Sequence, residues 1–305
     1  MTTFPSTTGA PRVCVGMPVY NGERWVGKAI DSILAQTFRD FVLVISDNAS
    51  ADGTGAICES FVRRDPRVRY HRNPQNIGLF KNYDRVFDLC SSQYFKWAAS
   101  GDVCKPEFLE RCVAMLDRRP DVVLAYPRAA LFDESIESAQ PYEDALDLQD
   151  ERPSDRLTKL LERIRLNNII NGVIRSDALR RTALNKAYVS SDINIVAELS
   201  LQGKFAEIPE RLFLRRMNQA TATALKTKAE NVEYLARGSN DVYDLYQWKL
   251  EMGFFKGAWR ARLPLGEKLK IYGVLARRLR HARAKLAAQL GASLRGRLRS
   301  GSRAA

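Results

Sequence analysis

The chain has 305 residues, 45% hydrophobic and 27% charged, with 18 glycines and 12 prolines. That balance excludes wholesale disorder and low-complexity fibres, and leaves room for one large domain or two small ones, each with its own core. The net charge of +13 is confined to one end: residues 256–305 hold 14 basic residues and one acid, Glu267, whereas residues 1–255 hold 34 of each sign.

In chain order, Val13–Val19 reads as a buried strand, with a turn at Asn21-Gly22 and a helix from about Trp25 to Gln36. Phe41–Ser46 is a second apolar run, followed by polar Asp47–Gly55 and a helical stretch near Ile57–Arg64. Val68–Arg72 is a third strand, Asn73–Gly78 a turn cluster and Leu79–Cys90 a helix. Tyr94–Ala98 and Val122–Tyr126 are further strands, on either side of a helix over Glu107–Arg118 that starts behind Pro106. Strands alternating with helices of ten or so residues predict crossover units and a mostly parallel central sheet, with ligands outside the carboxyl ends of the strands. Function is therefore expected in the loops Pro18–Glu23, Ser46–Gly53 and Ser100–Cys104.

The second half is less regular. Residues 133–153 are acidic and read as a mobile loop over the site. Asp155–Leu166, Ser176–Thr182 and Asp192–Gln202 have helical patterns, and Ile169–Ile174, Phe205–Ile208 and Leu212–Arg216 are strand-like. Beyond Thr227 the pattern is helical throughout, without internal repeats.

Five cysteines, odd in number and without CxxC spacing, read as reduced thiols of a cytosolic protein, with neither a disulfide framework nor a zinc site. Two histidines, His71 and His281, do not make a His-rich metal site. The N-terminal segment lacks the apolar core of a secretory signal, and no run approaches 18 uninterrupted apolar residues. The expectation is a protein that is soluble or lies on a membrane surface.

Four segments carry chemistry. Met17-Pro18-Val19-Tyr20-Asn21-Gly22-Glu23 ends the first strand; taken alone it is also an ordinary Asn-Gly turn. In Ile45 to Thr54, five polar side chains precede a closing glycine, Gly53, after a buried strand. A carboxylate there can accept the imide N–H of a pyrimidine base; otherwise Asp47 closes an Asx turn and Asp52 or Thr54 caps the next helix. In Lys96 to Pro106, Asp102 stands at a strand end where an acid can hold a divalent cation against a diphosphate, or merely shape a turn. Ser190-Ser191-Asp192 opens a helix, which suits an N-cap and also a general base.

In this order the segments resemble the family-two glycosyltransferases of the GT-A fold. The resemblance runs through Pro18-Val19-Tyr20-Asn21-Gly22-Glu23, Ala29 to Phe38, Ser46 to Thr54, Arg72 to Gly78, Asn82-Tyr83 and Ser191-Asp192 with Ala197-Glu198-Leu199, then Gly203-Lys204-Phe205 and Leu212-Phe213, over about residues 12–217. It implies an α/β, Rossmann-like sheet with flanking helices and inverting transfer of a sugar from a nucleotide-diphosphate donor. The expected setting is cell-surface polysaccharide or glycolipid synthesis on a glycan or lipid-linked acceptor, in the cytoplasm or peripherally at the inner face of the membrane. It assigns Pro18, Tyr20 and Glu23 to the nucleotide pocket, Asp47 to the base, Asp102 to Mg2+ or Mn2+ and the donor, and Asp192 to the general base. Arg72, Asn76 and Lys81 fall in a segment that family members place near the nucleotide.

Two departures bear on this. Gly101 stands where the family usually has a first acid beside the metal ligand, and Met217-Asn218-Gln219 replaces a His-Pro-containing stretch. Asn218 offers only an amide oxygen, while Arg215 or Arg216 can neutralise a diphosphate directly. These losses suit the alternative of a non-catalytic nucleotide-sugar-binding protein. The expected layout is an N-terminal arm over 1–11 that is disordered, a GT-A domain over 12–220, a helical extension over 221–290 and a flexible basic tail over 291–305.

Tyr272, Leu275, Leu279, Ala282, Leu286 and Leu290 recur at helical steps, with basic residues around them. Such a helix either lies on an anionic membrane or packs on the catalytic domain with its basic face in water. A basic segment without a nucleic-acid module gives little ground for nucleic-acid binding, and none is expected.

Overall fold

The computed structural model describes residues 10–217 and 244–301. Asn218, and the helical pattern expected between Thr227 and residue 243, lie outside these described residues.

The first half builds the parallel core. Strands β1 (Val13–Val19), β2 (Phe41–Asp47), β3 (Val68–Arg72) and β4 (Tyr94–Trp97) alternate with helices α1 (Val26–Leu34), α2 (Thr54–Arg64) and α3 (Leu79–Asp88). All seven residues of β1 and of β2 are buried, which suits strands covered on both faces. Their period of two divides the molecule: Val13, Val15, Met17 and Val19 enter one core, while Cys14, Val42 and Val44 enter the other. β5 (Val103–Cys104), α4 (Phe108–Arg118), β6 (Val122–Phe132) and β7 (Gln140–Tyr142) follow, then α5 (Pro153–Arg163), β8 (Val173–Arg175), α6 (Ser176–Arg180), α7 (Ser191–Gln202) and β9 (Lys204–Arg216). Helices α8 (Tyr246–Arg260) and α9 (Leu265–Gly301) complete the described chain.

The sheet order is β3-β2-β1-β4-β8-β6-β9-β5, with β7 on the side of β6. Pairing is parallel across β3-β2-β1-β4 and between β6 and β9, and antiparallel at β4/β8, β6/β8, β5/β9 and β6/β7. The sheet is thus mixed beyond β4, because short β8 returns against the parallel set.

Several expectations are corrected. Cys14 and Cys90 form a disulfide, since α3 packs on β1 and brings their Cα atoms within 6.0 Å; Cys58, Cys104 and Cys112 are free and buried. Residues 133–153 are not a loop over the site: Leu146 and Leu148 are fully buried, Leu148 bridges Phe205, and β7 pairs with β6. The two strand-like runs around 205–216 are one 13-residue strand, β9, bent by register shifts against β6. Residues 168–171 form a 3-10 turn ahead of short β8 rather than a continuous strand.

The apolar stripe of α9 packs inward. Ile271, Leu275 and Leu286 are buried, Tyr272 stacks on Phe255, and the Trp248 indole Nε1 donates to Leu286 O at 3.0 Å. Arg278 donates from Nε to both carboxylate oxygens of Glu251, a charged pair that fixes α9 on α8. The inner part of the stripe is packed and the basic face is solvated, as in the packed-helix reading, while Leu290 at the far end of the stripe is exposed. No described helix is long and apolar enough to cross one.

Candidate active site

The carboxyl ends of β1 and β4, the start of α3, the segment around Asn167 and the N-terminus of α7 enclose a cleft of about 370 Å3. It is lined by Pro18, Tyr20, Asn48, Asn76, Asp102 and Asp192, and by Arg215 and Arg216 at the end of β9. Of the predicted site residues, Pro18, Tyr20, Asn76, Asp102 and Asp192 therefore meet in one place. Asp102 lies in the turn ahead of β5, and Asp192 in the first turn of α7.

The wall on the side of β1 and β2 is a closed polar lattice. Asp47, fully buried at the end of β2, accepts from Ser50 N at 2.9 Å, Ser50 Oγ at 2.6 Å, Tyr70 Oη at 2.6 Å and Arg72 at 3.1 Å. The Asn-Gly turn is stitched to the next loop: Asn21 N donates to Ser50 Oγ, Gly22 N to Thr54 Oγ1, and Ala51 N to Asn21 Oδ1. Glu23 accepts from Gly53 N. Behind them, Asn48 Nδ2 donates to Asn76 Oδ1 at 2.8 Å, while Asn48 Oδ1 accepts from Ile77 N and from Asn73. Asn82 pairs with the hydroxyl and carbonyl of Ser46. Asp47, Glu23 and Arg72 do not line the cleft but brace the loops that do. Lys81 sits apart, in a second hollow with Asp84 and Asp88.

Asp192 lies in the first turn of α7, and the preceding Ser190 takes a left-handed conformation with φ 65°. Ser190 makes no side-chain cap, so the capping role open to this motif is not realised. Strain held by the surrounding fold beside a cleft carboxylate is a pattern of functional sites. Asn167 Nδ2 donates to Asp192 Oδ2 at 2.8 Å and sets its direction. Desolvation pushes the Asp192 carboxyl above the ordinary range, against the opposing pull of Asn167, Arg215 and the helix N–H groups.

Asp102 is held from the other side. Arg216 N donates to Asp102 Oδ1 at 2.9 Å, and burial again raises its pKa, opposed by Arg215, Lys96 and Arg216. At Gly101 the space of the missing acid is taken by an arginine. A side chain there would meet the Arg216 guanidinium 2.8–3.3 Å from its Cβ, and that guanidinium lies 4.6 Å from the Trp25 ring centroid. Arg215 in turn donates to Asn168 Oδ1 at 2.6 Å, and Asn168 Nδ2 donates to both oxygens of buried Asp144. Burial pushes Asp144 up to about 7.

Among the described residues no three His, Cys, Asp or Glu side chains gather as a cation site. Mg2+ and Mn2+ accept one or two carboxylates completed by substrate phosphates and water, so Asp102 fits as a sole protein ligand beside a bound diphosphate. Asn167, Asn168 and buried Lys96 escaped the sequence reading. An Asn-Asn pair between two elements and a lysine inside an apolar strand carry no local signal for these positions.

A sheet parallel at one end, mixed at the other, with a polar cleft outside its strand ends lined by Asp102 and Asp192, defines a GT-A-fold protein. The chain belongs to glycosyl transferase family 2, whose profile matches residues 14–188. It is 23% identical over 248 residues to an uncharacterized glycosyltransferase of Haemophilus influenzae, covering 73% of this chain and 74% of that one. It covers less than half the length of several other curated glycosyltransferases that it matches. Among solved structures, S. aureus TarS 1–349 in complex with UDP superposes with a TM-score of 0.63 at 13% identity, over 90% of this chain and 73% of that one. The mannosyltransferase PcManGT from Pyrobaculum calidifontis, in complex with GDP-Man and Mn2+, gives a TM-score of 0.52 at 14% identity over 95% and 81%.

Proposed function

We propose that the protein transfers a sugar from a nucleotide-diphosphate donor to an acceptor hydroxyl with inversion, building a cell-surface polysaccharide or glycolipid from a glycan or lipid-linked acceptor. In this reading Pro18, Tyr20 and Asn76 face the nucleotide, and the lattice around Asp47 holds their loops in register. The donor diphosphate lies toward Asp102, Arg215 and Arg216, and the acceptor toward Asp192.

Asp192 takes the proton of the acceptor hydroxyl as that oxygen attacks the anomeric carbon from the face opposite the diphosphate. The new C–O bond forms as the bond to the diphosphate oxygen breaks, and the electron pair leaves with the nucleotide. Arg215 and Arg216 supply fixed positive charge where negative charge grows, which is worth most in a partly dry cleft. A Mg2+ or Mn2+ held by Asp102 would add further charge neutralisation at that diphosphate. A base works best with a pKa near the working pH, and the desolvation of Asp192 moves it that way.

The observation that carries this reading is that Asp102 and Asp192, 90 positions apart in the sequence, line one cleft. The presence of an oriented carboxylate at Asp192 favours turnover over mere binding of a sugar nucleotide. A panel of nucleotide sugars, screened by thermal shift with and without divalent cation and then assayed for transfer or donor hydrolysis, tests it. Donor binding with no turnover under any of these conditions would leave a binding protein.

A further inference from the structure

Among the exposed large apolar side chains of the described residues, the three most exposed are Trp259 at 74%, Leu265 at 72% and Leu269 at 61%. They fall within eleven positions at the turn between α8 and α9. Isolated surface apolar residues are ordinary, but a cluster of this kind marks a contact surface. Leu265 and Leu269 are one helical turn apart on the same face of α9. Lys268 Nζ donates to Trp259 O at 2.8 Å and lies 5.7 Å from its ring centroid, which holds the indole beside the first turns of α9.

The exposed charge that α8 and α9 themselves carry at this tip is basic, while Glu151 and Asp155 of the neighbouring α5 end are exposed near its inner side. Lys256, Arg262 and Lys270 are exposed beside it, and Arg277, Arg280 and Arg283 continue along the outer side of α9. Glu267, the lone acid after residue 255, is turned inward: it accepts from Ser154 N at 2.8 Å, pairs with Lys270, and its side chain is only 13% exposed. Arg260 is partly spoken for by Glu198 at 2.7 Å. An apolar tip containing tryptophan, with a run of cations behind it and no outward acid on α8–α9 from residue 256 on, complements an anionic bilayer. The aromatic and the leucines suit the interfacial zone, and the cations suit acidic headgroups.

We infer that the α8–α9 turn is a membrane-docking tip, inserting Trp259, Leu265 and Leu269 into the interface of an anionic phospholipid bilayer while the basic side of α9 lies against the headgroups. This surface differs from the apolar stripe legible in the sequence, whose Leu275 and Leu286 are buried. The inference concerns where the molecule sits and stands apart from the chemistry of the cleft.

The test is flotation of the full chain with phosphatidylcholine vesicles with and without phosphatidylserine, at low and high salt. The full chain should float with serine-containing vesicles at low salt and release at high salt, where surface attraction is screened. Combined Trp259→Ser, Leu265→Ser and Leu269→Ser should lower vesicle binding by roughly tenfold or more, with an unchanged melting temperature, since these side chains contribute little to the core. Equal binding by that variant, or no binding of the parent to serine-containing vesicles, overturns the inference. A lipid-free dimer that the same variant disperses would also overturn it, by making a second copy of the chain the occupant.

Discussion

Asp47 and Asp192 are both carboxylates at the carboxyl edge of the sheet, yet the fold treats them differently. Asp47 is surrounded by donors from Ser50, Tyr70 and Arg72, so its lone pairs are used in holding two loops together. Asp192 faces the cleft with one orienting side chain, Asn167, and pays for its position in desolvation. A saturated buried acid is a structural part, whereas one kept half-satisfied beside a cavity retains capacity for a proton. Asp102 belongs with Asp192 in this respect, held by one backbone N–H and facing two arginines.

The sharpest way to break this contrast is Asp192→Asn, which keeps the shape and removes the base. Transfer should fall by about 10²–10⁴-fold while nucleotide affinity stays the same. Since burial raises Asp192 and the base must be ionised, kcat/KM of the parent should drop as pH falls, with its acid limb above the ordinary carboxylate range. Unchanged turnover in the variant would remove Asp192 from this role.

Asp102→Ala should come next, abolishing the cation-dependent part of donor affinity. Calorimetry with and without chelator reads this directly; if chelation leaves the parent's affinity untouched, the arginines carry the diphosphate and Asp102 is not a metal ligand. On the structural side, Asp47→Ala leaves several buried donors unmatched and should cost roughly 3 kcal/mol in denaturant unfolding. A loss below about 1 kcal/mol would mean the lattice is not what orders the loops.

The smallest effect concerns Asp144, whose folded pKa is about 7, above its unfolded value of 3.8. The folded state then holds the proton more tightly, so its stabilising contribution is present below about pH 4 and is lost as pH rises through about 7. Asp144→Asn should flatten the fall in melting temperature between those limits. An unaltered pH profile would place Asp144 in contact with water.

The parallel half of the fold was legible because β1 and β2 are short continuous apolar runs closed by polar loops and alternating with helical stretches. Asp102 and Asp192 were legible from the order of motifs, since each alone is a passable turn or cap. What could not be read depends on contacts between distant positions. The β4/β8 return makes the sheet mixed, and Cys14 finds Cys90 only once α3 lies on β1. The acidic character of residues 133–153 concealed Leu146 and Leu148, the anchors that bury that segment. Lys81 shares a helix with cleft residues but projects from its other side, a difference set by how α3 rolls on the sheet.

Inverting transfer requires that the attacking hydroxyl and the departing diphosphate be served from opposite walls of one cleft. The anomeric configuration of the product, read by NMR after transfer from a donor of known configuration, tests this most directly. Opposed walls predict a product of inverted configuration; a product that retains the donor's configuration would contradict them.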